Sequence, residues 1–376
     1  MGESLEGSVW AVMGLFGRLA RPLLRAFDPE DAHVLAIRGL KLLPPPRSPA
    51  EDPPELATRA FGLNFPNPLG IAPGFDKNAE AVDGLFRLGF GFVEIGTVTP
   101  RSQVGNPKPR LFRLDADEGV INRLGFNNDG QAAVLARLAA RAGRGGIVGV
   151  NVGANKDSLD RTEDYVKLIE AFAPVASYFT VNISSPNTPG LRNLQQADAL
   201  DDLLARTIAV RDRVSRDAGP VPLLLKIAPD LTLSELDDVV GIARKRKVDG
   251  MIVSNTTITR PATLRQRDKA GEVGGLSGKP LFRLSTRMLA ETYVRAESAF
   301  PLIGVGGIDS GATAIAKIKA GATLLQVYSG LVYKGVGLVG DIKRDLALAV
   351  SRGRRTSLNA LIGADAATMT AESWPV

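Results

Sequence analysis

The segment NISSPNTPG, Asn182 to Gly190, places two asparagines, two serines and two prolines directly behind an apolar run, Tyr178 to Val181, that reads as a buried strand. Amide side chains both donate and accept hydrogen bonds. Asn182 and Asn187 are therefore suited to hold a planar polar ligand, with the Ser185 hydroxyl between them. Ordinary turns also draw on Asn, Ser and Pro, so the segment gains its weight from other strand ends that repeat the pattern. Lys77 and Lys226 both follow or end apolar runs. Either could form a Schiff base, hold a carboxylate, supply charge to a reduced, anionic cofactor, or sit in a structural ion pair. NRLGFNN, Asn122 to Asn128, offers amides at Asn122 and Asn127, and Gly125 lets backbone approach a ligand closely. GVGGIDS, Gly304 to Ser310, and Tyr328-Ser329-Gly330 are glycine-rich strand ends of the kind that bind phosphate through backbone N–H groups. The glycine spacing of GVGGID is not that of a dinucleotide fingerprint, and it follows a late strand. A phosphorylated mononucleotide fits it better than NAD. Close helix–strand packing is the alternative use of those glycines.

The elements that must position these groups are eight short apolar runs: Leu69–Ala72, Phe92–Gly96, Ile147–Val152, Tyr178–Ile183, Val221–Ile227, Met251–Ser254, Leu302–Val305 and Leu324–Val327. Helical patterns such as Leu200–Val214, Leu233–Lys245 and Ala312–Ala320 alternate with them. Strands that are apolar throughout suit a parallel sheet covered on both faces. Eight βα units predict a closed (β/α)8 TIM barrel, with a doubly wound sheet as the alternative. Polar or glycine residues mark nearly every C-terminal strand end, where barrels carry their chemistry: Lys77, Thr97, Asn151, Asn182 with Ser185 and Asn187, Lys226, Ser254-Asn255-Thr256, Gly306-Gly307 and Tyr328-Ser329. Buried polar groups require partners, so a shared ligand explains the set better than eight unrelated turns.

Ahead of the barrel, Val9 to Phe27 mixes Trp10, Leu15, Leu19 and Leu23 with Arg18, Arg21 and Arg25. Asp28-Pro29-Glu30 is an N-cap with a first-turn proline and acidic first turn. A second amphipathic helix runs through His33, Leu35 and Leu40 to Leu43, stopped by Pro44-Pro45-Pro46. The expected organisation is an amphipathic helical extension over 1–46, a Pro-rich linker over 47–60, the barrel over 61–350, and a tail over 351–376 with no assigned role.

Composition narrows the chemistry. The 376 residues include no cysteine and one histidine. That removes disulfides, thiolate nucleophiles and Cys-ligated metal or cluster sites, and leaves a His-based metal site or Ser-His-Asp triad without enough imidazoles. No metal site is expected. Hydrophobic content of 44% and charged content of 23% suit a globular protein with a large core. The net charge of +6 favours anionic partners: carboxylates, phosphates or an anionic membrane surface. Nucleic acid ranks last, because the basic residues are scattered, aromatics are 6%, and no nucleic-acid motif occurs. No run is apolar enough to cross a bilayer, and Glu3 and Glu6 precede the first apolar stretch where a signal peptide would be basic.

Taken together, APGFDKN (Ala72–Asn78), GTVTP (Gly96–Pro100), GNPKPRLFRL (Gly105–Leu114), INRLGFNN, VNVGANKD (Val150–Asp157), NISSPNTPGLR, LLKIAPDL (Leu224–Leu231), SNTT (Ser254–Thr257), GGLSGKPL (Gly274–Leu281), GVGGIDS and QVYSG resemble the dihydroorotate dehydrogenase family over essentially the whole chain. The helical extension and Ser185 resemble its class 2, membrane-associated, quinone-linked branch. Class 1 relatives use a cysteine base, which this chain lacks.

The resemblance implies oxidation of dihydroorotate to orotate with FMN as hydride acceptor, a step of pyrimidine biosynthesis. It implies Ser185 as the base. A serine hydroxyl is a poor base at neutral pH, so a proton relay must assist it. FMN would meet Pro73, Gly74, Lys77, Thr97, Asn151, Asn182, Lys226, Ser254, Gly278 and Gly307, with Tyr328 and Ser329 near its phosphate. Pro73 departs from the small residue common in relatives. The substrate would meet Lys77, Asn122, Arg123, Leu124, Gly125, Phe126, Asn182, Asn187, Asn255 and Thr256. His33 and Arg113 would lie near a membrane quinone between the two N-terminal helices and the barrel. A monomer in peripheral contact with an anionic membrane surface, on the cytoplasmic face of the inner membrane, is expected. The rival readings are an FMN barrel oxidoreductase with a soluble acceptor, a Schiff-base lyase using Lys77 or Lys226, and a non-catalytic phosphate-ligand binding protein.

Overall fold

The computed structural model describes residues 26–43, 52–353 and 356–375, apart from the side chains of residues 217 and 218. Eight parallel strands close into a barrel: β1 (Leu69–Ile71), β2 (Phe92–Val98), β3 (Ile147–Val152), β4 (Tyr178–Asn182), β5 (Leu223–Ile227), β6 (Gly250–Val253), β7 (Leu302–Val305) and β8 (Ala322–Val327). Each pairs with the next in sequence, and Val327 of β8 lies opposite Ile71 of β1 to complete the ring. The expected barrel is therefore present, and the doubly wound alternative falls away. Each predicted run lies on its strand to within a few residues, because strands covered on both faces are apolar throughout.

Inward-facing side chains build the interior in layers, as alternation along each strand requires. Phe92, Tyr178, Leu224, Ile252, Ile303 and Leu324 form an apolar floor. A hairpin of Thr58–Ala60 and Leu63–Phe65 plugs that floor from below, with the Phe65 ring edge-on to Phe92 at 5.3 Å between centroids. Gly149 makes room for the Tyr178 ring, which a Cβ there would meet at 2.1 Å. Two positions further along the strands the interior turns polar, at Glu94, Asn151, Thr180, Lys226 and Gln326, all buried.

Most of the first expected helix, Val9 to Phe27, lies outside the described residues, as does the start of the linker. The second helix is present as α1 (Pro29–Lys41), and Asp28 caps it by accepting from Glu30 N–H at 2.9 Å and Asp31 N–H at 3.3 Å. Its C-terminal end rests on Gly84, where a Cβ would run into the Leu40 carbonyl at 2.2 Å. An ion pair fixes its first turn: Arg110 meets both Glu30 carboxylate oxygens, at 3.1 and 2.7 Å.

The stretches around GNPKPRLFRL and INRLGFNN hold two strands, Leu111–Leu114 and Gly119–Asn122. They form an antiparallel sheet with Gly275–Gly278. Their partner lies some 150 positions away, and such short strands carry no periodicity of their own. The plug hairpin starts at Thr58, inside the stretch read as linker. At the other end the chain beyond 350 joins the folded body: Ala366–Ala371 packs against α2 (Phe282–Ala296), and Trp374 lies under the Arg287 guanidinium at 5.2 Å.

Candidate active site

A cavity of about 710 Å³ opens at the C-terminal ends of the barrel strands, within the size range of small-molecule sites. Its lower wall is polar and belongs to the barrel; its upper wall is apolar and runs beneath α1, with Ala32, Ala36, Leu40 and Leu43 facing Phe75, Leu111 and Val336.

The polar wall gathers the residues singled out from sequence. Thr97, Asn182, Lys226 and Ser254 sit at the ends of β2, β4, β5 and β6, each nearly inaccessible to solvent. Ser185, Asn187, Asn255 and Thr256 come from the loops above β4 and β6, Asn122 from the end of an outer-sheet strand, and Leu124, Gly125 and Phe126 from the loop that follows it. Asn187 Nδ2 donates to Asn122 Oδ1 at 3.1 Å, joining these two groups. Pro73, Gly74 and Lys77 line the cavity from the β1 loop, and His33 and Arg113 from its α1 side.

Two expected residues stand elsewhere. Asn151 is one layer down, wholly buried, with Nδ2 donating to Glu94 and Oδ1 accepting from Thr97. The Arg123 side chain turns outward to Glu272 at 2.6 Å and over the Phe112 ring, leaving only its backbone near the cavity.

Ser185 Oγ accepts from Asn187 N–H at 3.2 Å, which leaves its own proton free to point elsewhere. Three residues on, Thr188 Oγ1 is buried and has no hydrogen-bond partner among the described residues. Ser184 Oγ, by contrast, donates to Asn182 Oδ1 at 3.0 Å.

Two lysines lie in this cavity without hydrogen bonds to the described residues. Burial pushes the Lys226 ammonium down from its ordinary range, with the charge of Glu94 opposing. Burial likewise pushes Lys77 down to about 8, against the pull of Glu30. His33 is pushed down to about 3 by burial and by the charge of Lys77, so its imidazole is neutral. Its ring stands edge-on to Phe75 at 5.3 Å and 6.2 Å from Tyr328.

The glycine-rich end of β7 is shaped for an anion. Gly306 and Gly307 take φ of 105° and 74°, and a Cβ on Gly307 would overlap the Phe282 backbone at the start of α2. Gly278 lies beside them, and Ser277 Oγ is 2.8 Å from Ser329 Oγ on the β8 loop. Below, Gln326 lines the same cavity with its Oε1 unpartnered among the described residues. A phosphate cradle, a buried unpaired ammonium and an orphaned amide oxygen along one wall fit a phosphorylated heterocycle such as FMN.

Sequence reasoning missed Glu94, Gln326 and Thr180. Each is a polar residue inside an otherwise apolar strand, and that interruption was the available signal.

A family model described as dihydroorotate dehydrogenase matches residues 55–349. Curated proteins named dihydroorotate dehydrogenase (quinone) are similar over nearly the full length. One from Rhodopseudomonas palustris strain BisB5 is 72% identical over 361 residues, covering 96% of this chain and 99% of that protein. One from Bradyrhizobium diazoefficiens is 70% identical over 360 residues, covering 96% and 98%. Among solved structures, DHODH from Eimeria tenella in complex with ferulenol aligns with a TM-score of 0.84 at 38% identity, covering 90% of this chain and 96% of that one. Its ligand-free form aligns equally well, covering 99% of that chain. The chain belongs to the dihydroorotate dehydrogenase family.

Proposed function

We propose that this protein oxidises dihydroorotate to orotate with FMN and passes the electrons to a quinone, a step of pyrimidine biosynthesis. One observation carries the reading: the serine, the amides and the buried lysines share one cavity that continues beneath an apolar helix. The relatives' names favour neither the soluble-acceptor nor the lyase reading.

The chemistry that FMN supplies when bound is acceptance of a hydride from C6 of the substrate and release of the electrons to the quinone. Gly278, Gly307, Tyr328 and Ser329 would hold its phosphate end, and Pro73, Gly74, Thr97, Asn182, Lys226 and Ser254 the ring, with Asn151 acting through Thr97 from below. The Lys226 ammonium would supply positive charge beside the ring. Asn122, Asn187, Asn255 and Thr256 match the polar edges of a planar pyrimidine, Lys77 its negative charge, and the backbone of Arg123 to Phe126 closes over it. Ser185 takes the C5 proton. The Asn187 N–H on its oxygen favours developing negative charge there, and Thr188 is placed in sequence and burial to relay the proton onward. Holding these groups in fixed geometry before the reaction is the principal contribution of the barrel.

His33 and Arg113 line the acceptor end, where α1 presents an apolar wall. Of the described helices, none is long and apolar enough to cross a membrane. Peripheral contact through the face of α1 that exposes Val34, Leu35 and Leu42 beside Arg38 and Lys41 supplies the route for quinone. Purified protein should be yellow and should reduce a quinone only when dihydroorotate is added. Bound flavin without that turnover would refute the reading.

A further inference from the structure

Glu94, on β2, lies between the apolar floor and the cavity, wholly buried. It gathers three donors: Asn151 Nδ2 at 2.8 Å on one oxygen, Tyr178 OH at 2.9 Å and Gln326 Nε2 at 2.6 Å on the other. A carboxylate surrounded by donors acts only as an acceptor. An asparagine has no such fixed sense, because its amide can turn over and exchange donor for acceptor.

Glu94 removes that freedom from Asn151, whose NH2 group must face the carboxylate. Its Oδ1 therefore faces the cavity side, accepting from Thr97 Oγ1 at 2.6 Å and Asn182 Nδ2 at 3.1 Å. Thr97 has committed its proton, so it accepts from the other hydrogen of Asn182, at 3.0 Å. Both hydrogens of Asn182 are now engaged, and its Oδ1 accepts from Ser184 N–H and Oγ–H and from Asn255 Nδ2. Each link inherits its direction from the one beneath it. The series begins at an obligate acceptor and ends beside Ser185 and Thr256.

We infer that Glu94 is a positioning residue: it sets the donor–acceptor polarity of the amides that hold the flavin and the pyrimidine, and so the affinity for both. It does not itself line the cavity. The inference rests on the FMN and dihydroorotate reading above.

Two substitutions in the holoenzyme test it. In Glu94→Gln the new carbonyl can still face Asn151. Its NH2 group can be met by rotation of the Tyr178 hydroxyl, with Gln326 keeping its Oε1 toward the cavity and giving up its bond to residue 94. Glu94→Leu leaves Asn151 with no acceptor. E94L should weaken FMN binding, read by quenching of flavin fluorescence, by at least about tenfold, with a comparable rise in the dihydroorotate KM. E94Q should restore both to within about threefold of wild type, which a role in bulk packing would not predict. Folded E94L with wild-type FMN affinity would overturn the inference, as would E94Q losing as much as E94L. If E94L does not fold, a neutron structure of the wild-type holoenzyme decides. Deuterons of the Asn151 amide directed at Glu94 support the inference; the opposite orientation overturns it. Failure of wild-type protein to bind FMN would instead strike the functional reading alone.

Discussion

Among the described residues, the hydrogen-bond partner of Ser185 is the Asn187 N–H, with no imidazole or carboxylate beside it. Its use as a base therefore depends on position and on the relay, and removing the hydroxyl should leave the cavity intact. Ser185→Ala is expected to retain FMN and to lose about 10²–10⁴-fold in dihydroorotate oxidation, measured by stopped-flow reduction of bound flavin. His33 behaves differently, because burial and the Lys77 charge act on stability as well as on chemistry. Its folded value of about 3 lies below the ordinary 6.5, so the unfolded chain binds the extra proton throughout that interval. Stability should then fall as pH drops from 6.5 toward 3, by up to about 1.4 kcal/mol per unit. Denaturant melts across that range should show the slope in wild type and a shallower one in His33→Asn.

At the level of elements, α1 is held to the barrel mouth by Leu40 against Gly84 and by the Glu30–Arg110 pair. Arg110 also donates to the Val104 and Asn106 carbonyls, and Asn106 Nδ2 donates to the carbonyls of Arg123 and Asn187. The helix facing the acceptor and the loops facing the substrate thus share one anchor. Arg110→Ala removes two charge-assisted hydrogen bonds from the half-buried Glu30 carboxylate and leaves it only Lys108 Nζ at 3.6 Å, so a loss of about 2 kcal/mol is expected. Urea titration checks that loss, and an accompanying rise in quinone KM would report displacement of α1. The eight strands and α1 were readable because they follow simple rules: unbroken apolar runs, and an N-cap with Pro at the first position. The outer sheet was not, since Gly119–Asn122 finds its partners only after the barrel is built. At the site, terminal polar residues such as Asn182 and Lys226 stood out at strand ends. Glu94 was hidden in FVEIG, where the surrounding pattern describes burial and says nothing of which neighbours a buried carboxylate will meet.

Across the whole molecule, the surplus of positive charge and the exposed apolar side chains of α1 point the same way. Phe27, Val34, Leu35 and Leu42 are all open to solvent, with Arg38 and Lys41 in the last turn of the helix. Vesicles containing anionic lipid should co-sediment the protein more strongly than neutral vesicles, the difference shrinking in roughly 0.5 M salt as charges are screened. Leu42→Glu should reduce binding to both kinds. The chain also has a single histidine, held on α1 against rings that belong to the barrel. Its imidazole protons will give one pair of lines in a proton NMR spectrum, displaced by the ring currents of Phe75 and Tyr328. Every departure of that helix from its seat, on a lipid bilayer or around an incoming quinone, will register as movement of those lines, with no label attached.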